Sequence, residues 1–426
     1  MKFLKQVSLY TLVGVISAGI NFFIMPVLTH HLSPADYGLL AIFNTYVTIL
    51  IPIVSVSAYA LLSVDYFNQK NKNKYASEFT SIQLIPVFNA VLLSFMVWGF
   101  YGRFADDLEL GGTGIGWGYI ILTITLLSIY FEQFIQYLIL QKKAALFSFY
   151  SLLRVGIEVT LTFYFIVYKG WSWEGRMYSW LITSVLFFVI GFVYFYKQGL
   201  VSTSINMKYI REGIVFGGPL VLHGIGKFVV NQSDRLFIVK MVSMEAAGIY
   251  NIGYTVGSLV LIVVSAFFNF YSPFLMERLA DITETGRLQV VKMSYYYIIG
   301  CIVLLVLILL LTPLFFTLFI DSRYYEGTKY VFWVALGYCF WGGYMLFSGF
   351  IFYLKKSGIL GWLAIFNVLT NLAFNYFFIK IFGAIGAAYA TALSFFLLML
   401  LVAIITQRLL PMPWRNFRGA RLIKLS

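Results

Sequence analysis

The chain reads as an all-α integral membrane protein, twelve transmembrane helices in two six-helix lobes with a parallel, duplicated 6+6 plan. Three observations predict this. Hydrophobic residues make up 61% and charged residues only 11%, with mean hydropathy +0.87, whereas soluble domains carry about a quarter charged residues. Apolar runs of about 20 residues recur along the whole length, enough for a helix to cross about 30 Å of hydrocarbon, and they are continuous, not alternating as in barrel strands. Finally, the sequence repeats itself at nearly half its length.

The first run, 7–28, follows Lys2 and Lys5. It is too long for the core of a secretory signal and no small-residue cleavage site follows, so it is read as the first span. The others are expected at 39–63, 79–101, 116–140, 145–168, 177–196, 214–241, 247–272, 293–316, 330–353, 358–379 and 385–407. Twelve spans put both termini on one side. Loops on that side hold the basic clusters at 70–74, 142–143, 197–211, 278–292, 355–356 and 408–424; the other side has few, among them Arg103, Lys169, Arg176, Arg323 and Lys329. The positive-inside rule then assigns the N- and C-termini to the cytoplasm. Spread in this way, the net charge of +13 forms no basic domain, which argues against nucleic acid and leaves membrane lipids as partners. Cys301 and Cys339 fall inside apolar runs and read as small core residues, not as a disulfide or metal site.

A shift of 210 positions lays the first hairpin over the seventh and eighth spans without a gap. It pairs Gly14 with Gly224, Asn21 with Asn231, Ser33 with Ser243, Gly38 with Gly248, Ile42 with Ile252 and Thr45 with Thr255. A shift of 211 pairs Gly175 with Gly386 and Tyr178 with Tyr389. Two matches of nearly one period at opposite ends of a six-span unit argue for duplication. Each copy has an even number of spans, so the copies enter the membrane in the same sense, related by an axis along its normal. The expected domains are an N-terminal lobe at 1–196, a basic cytoplasmic linker at 197–213 and a C-terminal lobe at 214–426 ending in a short basic tail.

Two motifs in this frame carry a resemblance. Pro26-Val-Leu-Thr29-His-His-Leu32 followed by Tyr37-Gly38, and Asp234-Arg235-Leu-Phe-Ile238 followed by Gly248-Ile-Tyr250, resemble signatures of Wzx-type O-antigen and polysaccharide flippases. These belong to the multidrug/oligosaccharidyl-lipid/polysaccharide exporter superfamily, with the lipid II flippases and the multidrug and toxin extrusion transporters. The resemblance covers the whole chain in length, span count and duplication. It implies a V-shaped pair of lobes around a central cavity. It also implies alternating access that moves an undecaprenyl-pyrophosphate-linked oligosaccharide, an O-antigen or capsule-type repeat unit for lipopolysaccharide or capsule assembly, from the cytoplasmic to the outer leaflet of the bacterial inner membrane. Other polysaccharide assembly proteins would be partners. No cofactor is implied, although some relatives couple transport to sodium or proton gradients.

Charged groups inside spans are the candidate working residues, because a charge at the bilayer centre costs about 2.5–3.5 kcal/mol on insertion scales and by default faces a partner or a watery cavity. Lys227 lies near the middle of the seventh span and suits a pyrophosphate, which must lose water there and needs a fixed counter-charge. Arg154 and Glu158 are an i, i+4 pair on the fifth span. Glu132 and Arg154 are equidistant from the turn at 142–143, which predicts a Glu132–Arg154–Glu158 cluster, either substrate contact or a salt bridge internal to the lobe. Arg154, Lys227 and Arg235 are the expected substrate contacts, with Glu132, Glu158, His223 and Asn231 as the cavity's polar network. Asp234 with Asn371, Asn375 and Thr391 forms a candidate coupling-ion site, set against plain interhelical hydrogen bonding by the stripe Asn367, Asn371 and Asn375. His30 and His31 diverge by about 100° on a helix, which disfavours a shared ligand role.

Other functions fit less well. A drug or cation exporter of the same fold wants an acidic cavity, whereas the midplane charge here is a lysine. A polytopic glycosyltransferase or polymerase wants a sizeable loop or a carboxylate–metal site; no loop is large, and Asp106-Asp107-Glu109 reads as a solvated acidic loop. A structural scaffold would gain nothing from buried charges.

Overall fold

With no water in hydrocarbon to satisfy backbone N–H and C=O groups, long apolar runs must bond within themselves. The computed structural model describes positions 13, 16, 19, 20, 22–67, 71–107, 114–280 and 283–414, and there the chain is helical with no strand. The predicted first span lies largely outside the described residues, as do Lys2, Lys5, Lys70, Glu109 and the basic tail from 415. The helices are α1 (helical over 22–31), α2 (Pro34–Ser55), α3 (Tyr59–Asp65), α4 (Lys72–Asp107), α5 (Ile115–Leu140), α6 (Ala144–Thr162), α7 (Trp173–Lys197), α8 (Met207–Met241), α9 (Met244–Gly257), α10 (Val260–Ala280), α11 (Glu284–Phe319), α12 (Thr328–Tyr353), α13 (Ser357–Phe382) and α14 (Ile385–Leu409). A π turn (Phe163–Tyr168) extends α6, and a 3-10 turn (Ser322–Gly327) precedes α12. Among the described residues, eleven helical stretches are long and apolar enough to cross a membrane.

Two expected spans are broken. The run 39–63 is α2 and α3, separated where Val56 and Ser57 adopt φ of 50° and 51°, a left-handed region costly for a β-branched residue. Local bonds support the break: Asn89 Nδ2 donates to the Val54 carbonyl at 3.0 Å, and the Ser57 amide donates to Ser55 Oγ at 3.0 Å. The run 247–272 is α9 and α10, separated at Ser258–Leu259. The start of α2 is fixed by a capping box, in which Asp36 N–H donates to Ser33 Oγ and Ser33 N–H to the Asp36 carboxylate, with Pro34 at the position where a missing N–H costs nothing.

Packing divides the chain into two compact units, residues 1–248 and 249–426. The first takes in α1 to α8 and the start of α9, so α8 packs with the helices that precede the linker. Small residues explain this. A Cβ on Gly213 would meet Ile85, Ala58 and Ile82, one on Gly217 would lie 2.0 Å from the Val56 carbonyl oxygen, and one on Gly224 would lie 2.8 Å from Pro52. That glycine face lets α8 sit against the break between α2 and α3. The linker is fastened to α4 as well: Ser77 Oγ donates to the Ser204 carbonyl, Thr80 Oγ1 to the Leu200 carbonyl, and Asn206 N–H to Ser81 Oγ. Beneath it lies a core of Phe79, Ile82, Phe134, Tyr137, Leu138 and Phe195.

One contact in this unit joins positions that the 210-residue shift pairs. A Cβ on Gly38 would lie 2.0 Å from the Met244 carbonyl oxygen, and one on Gly248 would lie 1.9 Å from the Pro34 carbonyl oxygen. Under the 210-residue shift Gly38 matches Gly248 and Pro34 matches Met244. The first turns of α2 and α9 therefore meet backbone to backbone through a reciprocal pair of glycines.

In the second unit, α12, α13 and α14 pack closely, with Ala387, Ala388, Ala390 and Ala392 buried and Gly337 set against Ala392. Neighbouring α11 leaves Ile299, Ile302, Val303, Val306 and Leu310 exposed, as expected of a helix facing lipid. Cys301 and Cys339 are free thiols.

Candidate functional site

Three helices of the first unit bring charges together. Glu132 comes from α5, Arg154 from α6 and Lys227 from α8, and both cations act electrostatically on the Glu132 carboxylate. Glu132 and Lys227 are exposed and Arg154 is half-buried. The Arg154 guanidinium lies over the Phe131 ring, 4.1 Å from its centroid, a cation–π contact that fixes the planar group while leaving its edge N–H donors available. Beside them is a cavity of about 370 Å³ lined by Val13, Tyr59, Phe131, Glu132, Ile135, Gln136, Phe147 and Ser151. Ser151 is one turn before Arg154 on α6, and Tyr59 opens α3 just past the strained break, so that break helps to shape the cavity.

Glu132 and Glu158 both act electrostatically on Arg154, as the equal distances from the 142–143 turn predict, but the close partner of Glu158 lies elsewhere. Its carboxylate pairs with Arg176 of α7, Nη2 to Oε1 at 2.7 Å, and Arg176 Nη1 also donates to Thr162 Oγ1 at 2.8 Å. Arg154 feels Glu158 electrostatically but forms no close ion pair among the described residues. The sequence could not place Arg176, expected at an outer helix end, opposite Glu158, because the turn between α6 and α7 is a π turn whose register apolar pattern does not reveal. Glu158 thus serves two cations, Arg176 by direct contact and Arg154 through its field. Replacing Arg176 by Ala should leave Glu158, 16% exposed, without its partner; the expected cost is about 1–3 kcal/mol, read as reduced abundance and a lower melting temperature.

On α8, His223, Lys227 and Asn231 follow at i, i+4 and i+8. His223 is exposed, and Asn231 Nδ2 donates to the Lys227 carbonyl at 2.7 Å. Arg235 is different. It is 3% exposed, as is Asp234, and its Nη1 donates to Asp234 Oδ1 at 2.7 Å and to the Asn231 carbonyl at 2.8 Å. Arg235, an expected substrate contact, is held in a buried ion pair with the residue before it on α8. Asp234 is likewise committed to Arg235. Asn371, Asn375 and Thr391, its expected companions at an ion site, belong to the second unit. There Asn375 Nδ2 donates to Asn371 Oδ1 at 3.0 Å, Asn371 Nδ2 to Ser394 Oγ at 3.4 Å and Ser394 Oγ to the Thr391 carbonyl at 3.1 Å. The Oδ1 atoms of Asn367 and Asn375 are buried without a partner among the described residues. His30 and His31 each hydrogen-bond a carbonyl one turn back through Nδ1, at 2.8 and 2.9 Å, and do not form a shared site.

An all-helical chain with eleven apolar, membrane-length stretches among the described residues, and with charges gathered beside a small cavity, has the fold of membrane transporters. It is similar to the lipid II flippase MurJ in an inward closed conformation, with TM-score 0.71 and 14% identity over 94% of this chain and 87% of that one. It is also similar to an inward-facing multidrug resistance MATE transporter of the MOP superfamily, with TM-score 0.69 and 14% identity over 92% and 94%. A protein of the Lsg locus of Haemophilus influenzae is 22% identical over 387 residues, 88% of this chain and 90% of that protein. The model of the polysaccharide biosynthesis protein family matches residues 3–277, and the chain belongs to that family. The resemblance drawn from the two sequence motifs agrees with it.

Proposed function

We propose that the protein is a flippase that carries a polyprenyl-pyrophosphate-linked oligosaccharide, of O-antigen or capsule type, from the cytoplasmic to the outer leaflet of the bacterial inner membrane by alternating access. One observation carries the substrate class: Arg154 of α6 and Lys227 of α8 both lie in the field of the Glu132 carboxylate, while Glu158, which also acts on Arg154, is ion-paired with Arg176. With Arg176 counted, three cations face the two carboxylates Glu132 and Glu158 among these residues, and the surplus positive charge beside the cavity is suited to a pyrophosphate and unsuited to a cationic drug. The family supports a role in polysaccharide biosynthesis, and the relative named as a lipid II flippase supports lipid-linked cargo. No step of bond chemistry is needed for this task, so the reading is of a transporter and not an enzyme. The 6+6 arrangement and cytoplasmic termini belong to the same proposal. Purified protein in liposomes should expose a fluorescent polyprenyl-pyrophosphate oligosaccharide, loaded in one leaflet, to an impermeant quencher on the other side. Rates equal to those of protein-free liposomes would overturn it.

A second part concerns energy. The partnerless buried oxygens of Asn367 and Asn375 favour a small cation or proton-linked water at the α13–α14 stripe, coupling transport to a sodium or proton gradient. Flipping indifferent to both gradients would remove this part alone.

A further inference from the structure

We infer that the cavity bounded by Tyr59, Phe131, Glu132, Gln136, Phe147 and Ser151 is a subsite for a sugar ring of the transported molecule, oriented by Glu132 so that the pyrophosphate stays on the Arg154–Lys227 side; this rests on the proposed flippase function. Its volume of about 370 Å³ falls within the range of small-molecule sites, about 300–1,000 Å³. The walls match the two sides of a pyranose. Phe131, Phe147 and Tyr59 offer apolar ring faces to its C–H surface, while Glu132, Gln136 and Ser151 offer a carboxylate, an amide and a hydroxyl to its O–H groups. Helical spacing keeps these groups in place. Glu132 and Gln136 are i, i+4 on α5, Phe147 and Ser151 are i, i+4 on α6, and Arg154 follows three residues later on the same side.

Glu132 gives the arrangement direction. It lines the cavity and also lies within the field of Arg154 and Lys227. Its negative charge repels a phosphate from the cavity and accepts hydrogen bonds from hydroxyls, so the anion is held on the cationic side and the sugar on the other. That order, cation pair and then hydroxyl acceptors, reproduces the covalent order of a sugar joined to a pyrophosphate.

Two probes that differ only in the ring test this: geranyl pyrophosphate, and geranyl pyrophosphate carrying one N-acetylhexosamine. Binding to protein in nanodiscs would be measured for both, and the ratio of the two affinities is the readout. Glu132→Gln, Gln136→Ala and Ser151→Ala should each lower the relative affinity for the sugar-bearing probe by about fivefold or more, the size of one lost hydrogen bond. Arg154→Gln should weaken both probes together and keep the ratio. An unchanged ratio in all three cavity variants, each with near wild-type melting, would overturn the subsite while leaving the flippase reading in place. Failure of the wild-type protein to bind either probe would overturn the reading beneath it, and the subsite with it.

Discussion

Valine in place of Gly248 should lower the melting temperature of the purified protein by about 3–10 °C, and alanine at Gly38 should do so by the lower part of that range. The reason is geometric. A Cβ at Gly248 would fall 1.9 Å from the Pro34 carbonyl oxygen and 2.8 Å from the Gly38 nitrogen, and a Cβ at Gly38 would fall 2.0 Å from the Met244 carbonyl oxygen. These are backbone atoms and cannot rotate aside, so the first turns of α2 and α9 would have to part. Overpacking of this kind costs about 1–3 kcal/mol, occasionally more. Gly300→Ala on α11 is the control: nothing lies within 4 Å of a Cβ there, and alanine favours a helix by up to about 1 kcal/mol. A Gly248→Val protein that melts like the wild type would show that the two backbones are not in contact.

Removing either cation of the site should have the largest effect on transport. Lys227→Ala and Arg154→Gln are each expected to lower flipping about tenfold or more, since a hydrogen bond to a charged group is worth about 1.5–3 kcal/mol. Protein abundance should stay normal, because Lys227 is exposed and Arg154 forms no close ion pair among the described residues. Lys227→Arg should retain most activity. Arg154→Lys should not, because a lysine loses the planar guanidinium seated 4.1 Å from the Phe131 ring. The contrast with Arg176 is the sharpest check: there abundance falls first, because its partner is Glu158. Full flipping by Lys227→Ala at normal abundance would remove the pyrophosphate contact from the proposal.

Much of this was legible from residue type alone. A lysine in the middle of an apolar run marks itself, and equal distances from the 142–143 turn aligned Glu132 with Arg154. The pairing of Glu158 with Arg176 was not legible, because it depends on how a π turn rotates the end of α6. Nor was the cavity, since its wall at Tyr59 exists only because α2 stops at Val56, a residue type that gives no turn signal. The burial of Arg235 was hidden for another reason: adjacent positions on a helix point apart, yet an arginine is long enough to fold back onto Asp234. One signal was present and could have been read. Gly213, Gly217 and Gly224 lie at i, i+4 and i+11, a small-residue stripe that identifies the face of α8 meant for close packing.

The membership of α8 in the first unit has a consequence for how the chain is made. The basic segment at 197–213 comes before α8, but the first unit is complete only at residue 248. Until α8 leaves the ribosome and enters the bilayer, Ala58, Ile82 and Ile85 lack the partner that Gly213 brings to them. Since domains fold as units and N-terminal ones first, the earlier helices must wait in the membrane, part-assembled, for a segment encoded after the linker. Two separately synthesised halves cut at the linker would therefore have to find each other before the first unit could finish folding.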